Sequence, residues 1–377
     1  MQKICIVTTV PETIYVFFKE HIRLISKYYN ITIITNINKS NSFKFKKEIN
    51  LISINIKRKV DLYNDIKSLI ELKNIFDKEK FDLVLSITPK AGLLASLAGF
   101  FSGINTRIHW FTGQIWATQK GLKRIFLKYL DKLIVLGASH ILVDSQSQYN
   151  FLKSENILNS KKSSVLGHGS ISGVDLKLFK FNIKFKKIFR KKINLNYSHK
   201  VILFLGRINR DKGIYDLIEA FELIEKNIKN LHLVIIGPDE ENIKKSITRY
   251  KSLNNKIHFV DKTLEPHKWL CIGDVFCLPS YREGFGSSVI EAAAVGIPSI
   301  TSRIYGLKDT VKNGQTGLTY KLGNINQLAA SLQSLIINND FRKKLGKNAK
   351  KRVSLLYKHT YLSQLLLNYI KKTLNKK

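Results

Sequence analysis

The chain has 377 residues, 44% hydrophobic and 24% charged, which leaves room for two folded cores and excludes a disordered or repeat-built protein. Lysine and arginine outnumber the acids by 63 to 28, a formal charge of +35 that attracts anionic surfaces whatever its origin. Three scattered cysteines in apolar contexts, Cys5, Cys271 and Cys277, exclude a disulfide scaffold and read as reduced core thiols of a cytoplasmic protein.

Met1-Gln2-Lys3 runs straight into an apolar strand at residues 4–7, with no signal-like segment between. Further strands are expected at 31–35, 51–54, 83–87, 107–111 and 141–143, with amphipathic helices at 16–28 and 62–76. That alternation implies a parallel sheet covered on both faces. The longest apolar run, 91–104, contains three glycines and is too short to span a bilayer. The second half repeats the scheme, with strands beginning at Val201, Leu231, Ile257, Val275 and Ser299. The expected organisation is an N-terminal domain over 1–180, a basic linker over 181–200, a second domain over 201–358 and a terminal helical segment over 359–377.

Two loops of the second half carry chemistry. Five apolar residues, Val201 to Leu205, form a buried strand closed by Gly206, and helical spacing resumes at Ile214. Arg207 and Lys212 flank that turn: a guanidinium grips phosphate with two donors, and an ammonium adds a mobile point charge. Solvated loop cations are the plain alternative in so basic a chain. The second loop follows Pro279-Ser280 and holds Glu283, Gly284, Phe285, Gly286, Ser287 and Ser288, with Glu291 in the helix beyond. Gly284 and Gly286 let backbone N–H groups approach a ligand, Ser287 or Ser288 is expected to cap the helix, and Gly296 with Pro298 ends it. A helix N-terminus accepts phosphate, and a carboxylate one turn inside takes two neighbouring sugar hydroxyls. Dipole-complementing acids are the bland explanation of the same glutamates. Together the loops read as a nucleotide-sugar site.

Gly206-Arg207, Lys212-Gly213, Pro279-Ser280, the Glu283–Glu291 pair and Gly296-Ile297-Pro298 resemble the retaining, nucleotide-sugar-dependent glycosyltransferases of the GT-B fold, in the large family numbered four. Gly237-Pro238, residues 313–318 and the segment 169–175 are further matches. The resemblance is close over roughly 200–320 and looser in the first half. It implies two Rossmann-like α/β domains facing across a cleft, with the donor on the second domain and the acceptor on the first. It also implies that the terminal helix packs back on the first domain.

The resemblance further implies a uridine-diphosphate sugar as donor and no cofactor. Arg207, Lys212 and the amides near Gly286 would stabilise the leaving diphosphate, Glu291 would hold the ribose, and Glu283 would meet the transferred sugar. Gly206, Gly237, Gly284, Phe285, Ser287 and Ser288 complete the donor set. A covalent role for Glu283, as in retaining glycosidases, ranks lower. In the first domain the family often places a histidine at a strand end; aligning Gly113 puts Thr112 there, with His109 nearby. Thr8 and Thr9 stand in a loop where relatives carry glycines.

Lys90, Arg107, Lys120 and Arg124 would receive the diphosphate of a lipid-linked acceptor, and Trp110, Phe111 and Trp116 would shelter its apolar part. Residues 88–92 and 111–118 resemble bacterial transferases that extend undecaprenyl-diphosphate-linked glycans for O-antigen or capsule, several of which use 2-acetamido sugars. Basic, aromatic-rich stretches at 180–192 and 347–377 suit an anionic membrane surface on the inner face of the cytoplasmic membrane. No RNA-binding signature or zinc-ligand spacing appears, so nucleic acid is not an expected partner. A dinucleotide site after the first strand is excluded, because the first glycine of the chain is Gly92. No two aspartates lie two apart, so the expectation is metal-independent transfer. A UDP-sugar epimerase of the same fold is the alternative, and a nucleic-acid-binding protein ranks below it.

Overall fold

The computed structural model describes residues 1–37, 49–57, 61–246, 253 and 255–375. The chain divides into two compact units, Met1–Ser172 with His359–Lys377, and Gly173–Lys358.

The first unit is a sheet of seven parallel strands: β1 Lys3–Val7, β2 Asn30–Thr35, β3 Asn50–Ser53, β4 Leu83–Ile87, β5 Thr106–Phe111, β6 His140–Val143 and β7 Ser163–Val165. Their order is β3-β2-β1-β4-β5-β6-β7, so the chain reverses direction between β1 and β4. The helices are α1 Pro11–Thr13, α2 Lys19–Ile25, α3 Leu62–Glu79, α4 Pro89–Phe101, α5 Gly121–Gly137 and α6 Gln146–Ser154. A π-turn, Ile14–Phe18, joins α1 to α2, so the helical stretch expected over 16–28 starts five residues earlier and ends sooner. β1 and β4 are buried on both faces, as interior parallel strands must be. α4 lies close on β5: a Cβ on Gly92 would stand 2.3 Å from the His109 ring. The C-terminal helix, His359–Leu374, belongs to this unit, where Leu366, Leu367 and Ile370 share a buried cluster with Phe18 and Ile22.

The second unit has six parallel strands, β8 Lys200–Leu205, β9 Leu231–Ile236, β10 Ile257–Val260, β11 Val275–Leu278, β12 Ser299–Ser302 and β13 Gly317–Tyr320. Their order is β10-β9-β8-β11-β12-β13, with the reversal between β8 and β11. Its helices are α7 Ile183–Lys191, α8 Ile214–Glu225, α9 Ile243–Ser246, α10 Pro266–Leu270, α11 Ser287–Val295, α12 Ile325–Ile337 and α13 Asn339–Leu356; α14 is His359–Leu374 of the first unit.

The expected linker over 181–200 is instead part of the second unit. Asn182 caps α7, Phe189 packs edge-on against Trp269 at 4.9 Å, and buried Arg190 donates to the Ile272 carbonyl at 2.8 Å. Lys184, Lys187 and Lys191 face water while Phe185 and Phe189 face inward, so an amphipathic helix looked like a linker because its charge dominates the composition. The unit boundary falls within the 169–175 segment.

Candidate active site

β8 and β11 are neighbours in space although two strands separate them in sequence. The chain winds outward from β8 one way and from β11 the other, so the loops leaving their carboxyl ends lie side by side at the switch point. These are the two loops that carry Arg207 with Lys212 and Glu283 with Gly286.

The loops are laced together. Gly213 has φ +68 and a Cβ there would lie 2.1 Å from the Pro279 carbonyl oxygen, so only glycine lets the turn close against β11. Tyr281 N–H donates to the Asp211 carbonyl at 2.8 Å, Arg282 pairs with Asp211 at 2.8 Å, and the Tyr281 hydroxyl donates to Asp216 at 2.9 Å. Lys212 Nζ pairs with Glu283 Oε1, and the buried Ser280 hydroxyl donates to the same oxygen at 2.9 Å. Glu283 and Lys212 are therefore brought together, from positions 71 residues apart.

Gly237 supplies a third approach. Its φ is +146, and a Cβ would meet the Gly206 carbonyl oxygen at 1.8 Å, so the loop after β9 touches the turn after β8. Beyond it, Glu240 accepts from Arg207 Nη1 at 2.8 Å and from Asn209 Nδ2 at 2.9 Å. Arg207 thus stands at the rim, partly exposed, with its guanidinium steered by Glu240.

Helix α11 begins at Ser287 with Gly286 in the cap position, at φ −80 and ψ 76. Neither Ser287 nor Ser288 caps it: both are already helical, and no side chain hydrogen-bonds the first turn. Gly286 is required by packing and not by its φ, since a Cβ would stand 2.6 Å from Leu307. The positive end of the helix dipole faces the loops without a side-chain acceptor on it. The Phe285 ring packs inward against Tyr357 at 5.3 Å, so a ligand meets its backbone and not its ring.

One turn inside α11, Glu291 is partly buried among Val289, Ile290 and Ala292. Burial alone raises its carboxyl to about 8, and no hydrogen bond or ion pair meets it among the described residues. A carboxyl held without a partner at a glycine-rich helix start is an acceptor waiting for donors. Hydroxyl groups on adjacent carbons satisfy that requirement.

The sequence reading missed the groups that position this site: Asp211, Asp216, Tyr281, Arg282 and Glu240. Their signal was weak. Asp211 adjoins Lys212 and Arg282 adjoins Glu283, so each loop carries a charged pair of opposite order, and the pairs match across the turn.

The first unit treats its candidates differently. His109 is buried, with Nδ1 3.0 Å from the Ser86 hydroxyl and its ring edge-on to Phe111 at 4.6 Å; burial lowers it to about 3 and keeps it neutral. Thr8 donates to the Val10 carbonyl at 2.7 Å and lies within 3.3 Å of the Thr35 hydroxyl. Thr9 and Thr88 share a 2.6 Å hydroxyl contact, with Thr88 at φ +74, a strained value for a β-branched residue. Thr112, at the end of β5, is partly buried.

Lys90 pairs with Asp65 at 2.8 Å, and Arg124 pairs with Glu155 at 2.6 Å while lying over the Trp116 ring. Arg107 stands at the amino end of β5, where it donates to the Gly137 carbonyl at 2.6 Å and to that of Ile104, so it belongs to the opposite edge of the sheet from Lys90 and Thr112. Trp110, Phe111 and Trp116 are buried, and Trp116 donates to Asp131 at 2.7 Å. Of the residues expected to form an acceptor cradle, Lys90 and Arg124 are ion-paired, Lys120 is exposed, Arg107 stands at the far edge of the sheet, and the three aromatic side chains are buried.

Among the described residues no three His, Cys, Asp or Glu side chains converge as a metal-binding set. No helix among them is long and apolar enough to cross a membrane.

Family models match both halves of the chain: one described as glycosyl transferase 4-like over residues 3–145, and one described as glycosyl transferases group 1 over 185–352. The capsular polysaccharide biosynthesis glycosyltransferase CapM of Staphylococcus aureus is 34% identical over 303 residues, 80% of this chain and 79% of that protein. UDP-Gal:alpha-D-GlcNAc-diphosphoundecaprenol alpha-1,3-galactosyltransferase of Escherichia coli is 26% identical over 82% of each chain. N,N'-diacetylbacillosaminyl-diphospho-undecaprenol alpha-1,3-N-acetylgalactosaminyltransferase of Campylobacter jejuni is 25% identical over 80% of each. Among solved structures, sucrose-phosphate synthase from Thermosynechococcus elongatus superposes with a TM-score of 0.83 over 100% of both chains at 20% identity, a likeness of fold.

Proposed function

This chain belongs to the group 1 glycosyltransferases of the GT-B fold, and on that premise we propose that it transfers a sugar from a uridine-diphosphate donor to a saccharide carried on a lipid diphosphate. The transfer retains anomeric configuration and uses no bound metal. The observation that carries this reading is the switch point of the second unit. Two cations and an uncapped helix start stand beside a carboxyl that lacks any partner among the described residues.

In this reading the ribose hydroxyls donate to Glu291, and the diphosphate lies against the start of α11. As the bond from the sugar's anomeric carbon to the phosphate oxygen breaks, its electron pair passes to the diphosphate. Arg207, Lys212 and the α11 amides stabilise that growing charge more than they stabilise the intact donor. The acceptor hydroxyl attacks the same face, and its proton goes to the departing phosphate oxygen. Glu283, held by Lys212 and Ser280, meets hydroxyls of the transferred sugar.

The acceptor class rests on relatives whose names specify diphosphoundecaprenol substrates, and a 2-acetamido sugar on the N-acetylgalactosaminyl relative. A place in capsule or related surface-polysaccharide synthesis follows from the CapM likeness. Attachment to an anionic bilayer surface, without a spanning segment, belongs to the same reading.

The test is transfer from UDP-Gal, UDP-GlcNAc and UDP-GalNAc to lipid-linked saccharide extract, with proton NMR of the product linkage and parallel reactions in EDTA. The expected product keeps the donor's anomeric configuration at an undiminished rate in EDTA. An inverted product, loss of activity restored by magnesium, or transfer only from ADP- or GDP-sugars would overturn the corresponding part.

A further inference from the structure

The switch-point loops of the second unit carry cations that are covered by acids. The chain holds 63 lysines and arginines against 28 acids, too few to give each cation its own. Yet Arg207, Arg210, Lys212 and Arg282, all on these two loops, each face one. Their partners are Glu240 at 2.8 Å, Glu241 at 3.7 Å, Glu283, and Asp211 at 2.8 Å. The positive charge that would draw a diphosphate is thus offset by carboxylates of the same loops and their neighbour.

One pair differs from the others in depth and in what its members serve. The side chains of Arg207 and Glu240 are 40 and 31% exposed, so water and salt screen them. Those of Lys212 and Glu283 are only 14 and 12% exposed, and the Ser280 hydroxyl fixes the same carboxylate oxygen at 2.9 Å. In the functional reading, Lys212 serves the diphosphate and Glu283 the transferred sugar, so the pair joins groups on either side of the bond that breaks. A diphosphate against Lys212 also lies near the Glu283 carboxylate, and like charges repel strongly where little water reaches them. That repulsion falls unequally on substrate and product. A terminal phosphate carries about −1.5 to −2 charges at pH 7, and esterification to a sugar removes its second ionisation. The sugar also brings hydroxyl donors to the carboxylate, which a bare diphosphate lacks.

We propose that Glu283 is the residue by which the site tells a uridine-diphosphate sugar from uridine diphosphate. Its carboxylate holds Lys212 and repels a bare terminal phosphate, and it accepts from the hydroxyls of a sugar attached there. Once the sugar has passed to the acceptor, the same carboxylate works against retention of the nucleotide. Glu283 therefore contributes to product release as well as to donor binding. The inference rests on the donor reading of this site and adds to it a discrimination between substrate and product.

The experiment is isothermal titration calorimetry of the full chain with uridine diphosphate and with uridine monophosphate, which lacks the terminal phosphate. Glu283→Gln is expected to bind uridine diphosphate at least about fivefold tighter than the unaltered chain, and the monophosphate within about twofold of it. Glu283→Ala removes the charge without putting an amide beside Ser280, and its affinity is expected to shift in the same direction. Circular dichroism verifies that each variant is folded. Equal or weaker binding of uridine diphosphate by the folded variants overturns the proposal, as does an equal gain for the monophosphate. Binding of neither nucleotide by any of the three chains overturns the donor reading itself, and this inference with it.

Discussion

At the carboxyl edge of the second unit's sheet, the loops after β8 and β11 meet through Lys212 and Glu283, while Glu291 lies beside them without a partner among the described residues. At the corresponding edge of the first unit, the loops after β1 and β4 meet through Thr9 and Thr88 at 2.6 Å, and His109 on the adjoining strand is buried against Ser86. Both are switch points of parallel sheets with the same winding. They differ in what is left over once the loops have been tied: the second keeps a carboxyl and a helix start without a side-chain partner among the described residues and a partly exposed guanidinium held at the rim by Glu240, while the first spends its hydroxyls and imidazole on itself. A shared fold therefore places two candidate sites, and the unsatisfied groups decide which one carries leaving-group chemistry.

The comparison breaks most sharply through the cations. Replacing Lys212 or Arg207 by Ala is expected to lower kcat on the order of 100- to 1,000-fold, about 3 kcal/mol in the barrier, measured as initial rates at saturating donor. Equal losses from Thr9→Val would move the electrostatic centre to the first unit.

Glu291→Gln is expected to raise the donor KM about tenfold or more, since one oxygen acceptor becomes an amide donor facing hydroxyls. It also carries a pH signature. Burial raises this carboxyl from an ordinary 4.5 to about 8, so the folded chain holds a proton that the unfolded chain releases between those values. Stability from this group is present below about pH 4.5 and falls as pH rises toward about 8. Thermal melts of Glu291→Gln across that window are expected to slope less than those of the parent. Below about pH 8, UDP binding is expected to release a proton, read as a dependence of calorimetric heat on buffer ionisation enthalpy.

His109→Ala sharpens the other side. Removing a buried ring costs about 2 kcal/mol or more in stability, whereas kcat is expected to stay within about twofold. Thermal unfolding and turnover on one sample separate the two effects. Arg124→Ala should be smallest, below about threefold in rate and about 1 kcal/mol in stability, because it removes a partly exposed ion pair.

Much of the architecture was legible because interior parallel strands are apolar on both faces and leave unbroken runs, as at Val201 to Leu205. The strands β7 and β13 escaped notice because they stand at sheet edges with half-polar residues such as Ser163, Ser164 and Thr319. The second unit's loops stood out because glycines and opposite charges cluster where a strand ends. What could not be read was partnership. Arg282 with Asp211 spans 71 residues and Tyr281 with Asp216 spans 65, and no local pattern announces either. His109 misled for a related reason: a polar residue between Ile108 and Trp110 looks like a site until the helix above it, with Gly92 against the ring, shows that it fills the core.

The most direct test of where the nucleotide sits is a crystal structure of the full chain with uridine diphosphate. The predicted density has the ribose hydroxyls on Glu291 and the diphosphate at the start of α11, within hydrogen-bond reach of Arg207 and Lys212. Density for the ligand at the β1–β4 edge, beside Thr9 and Thr88, with the α11 start empty, would contradict it.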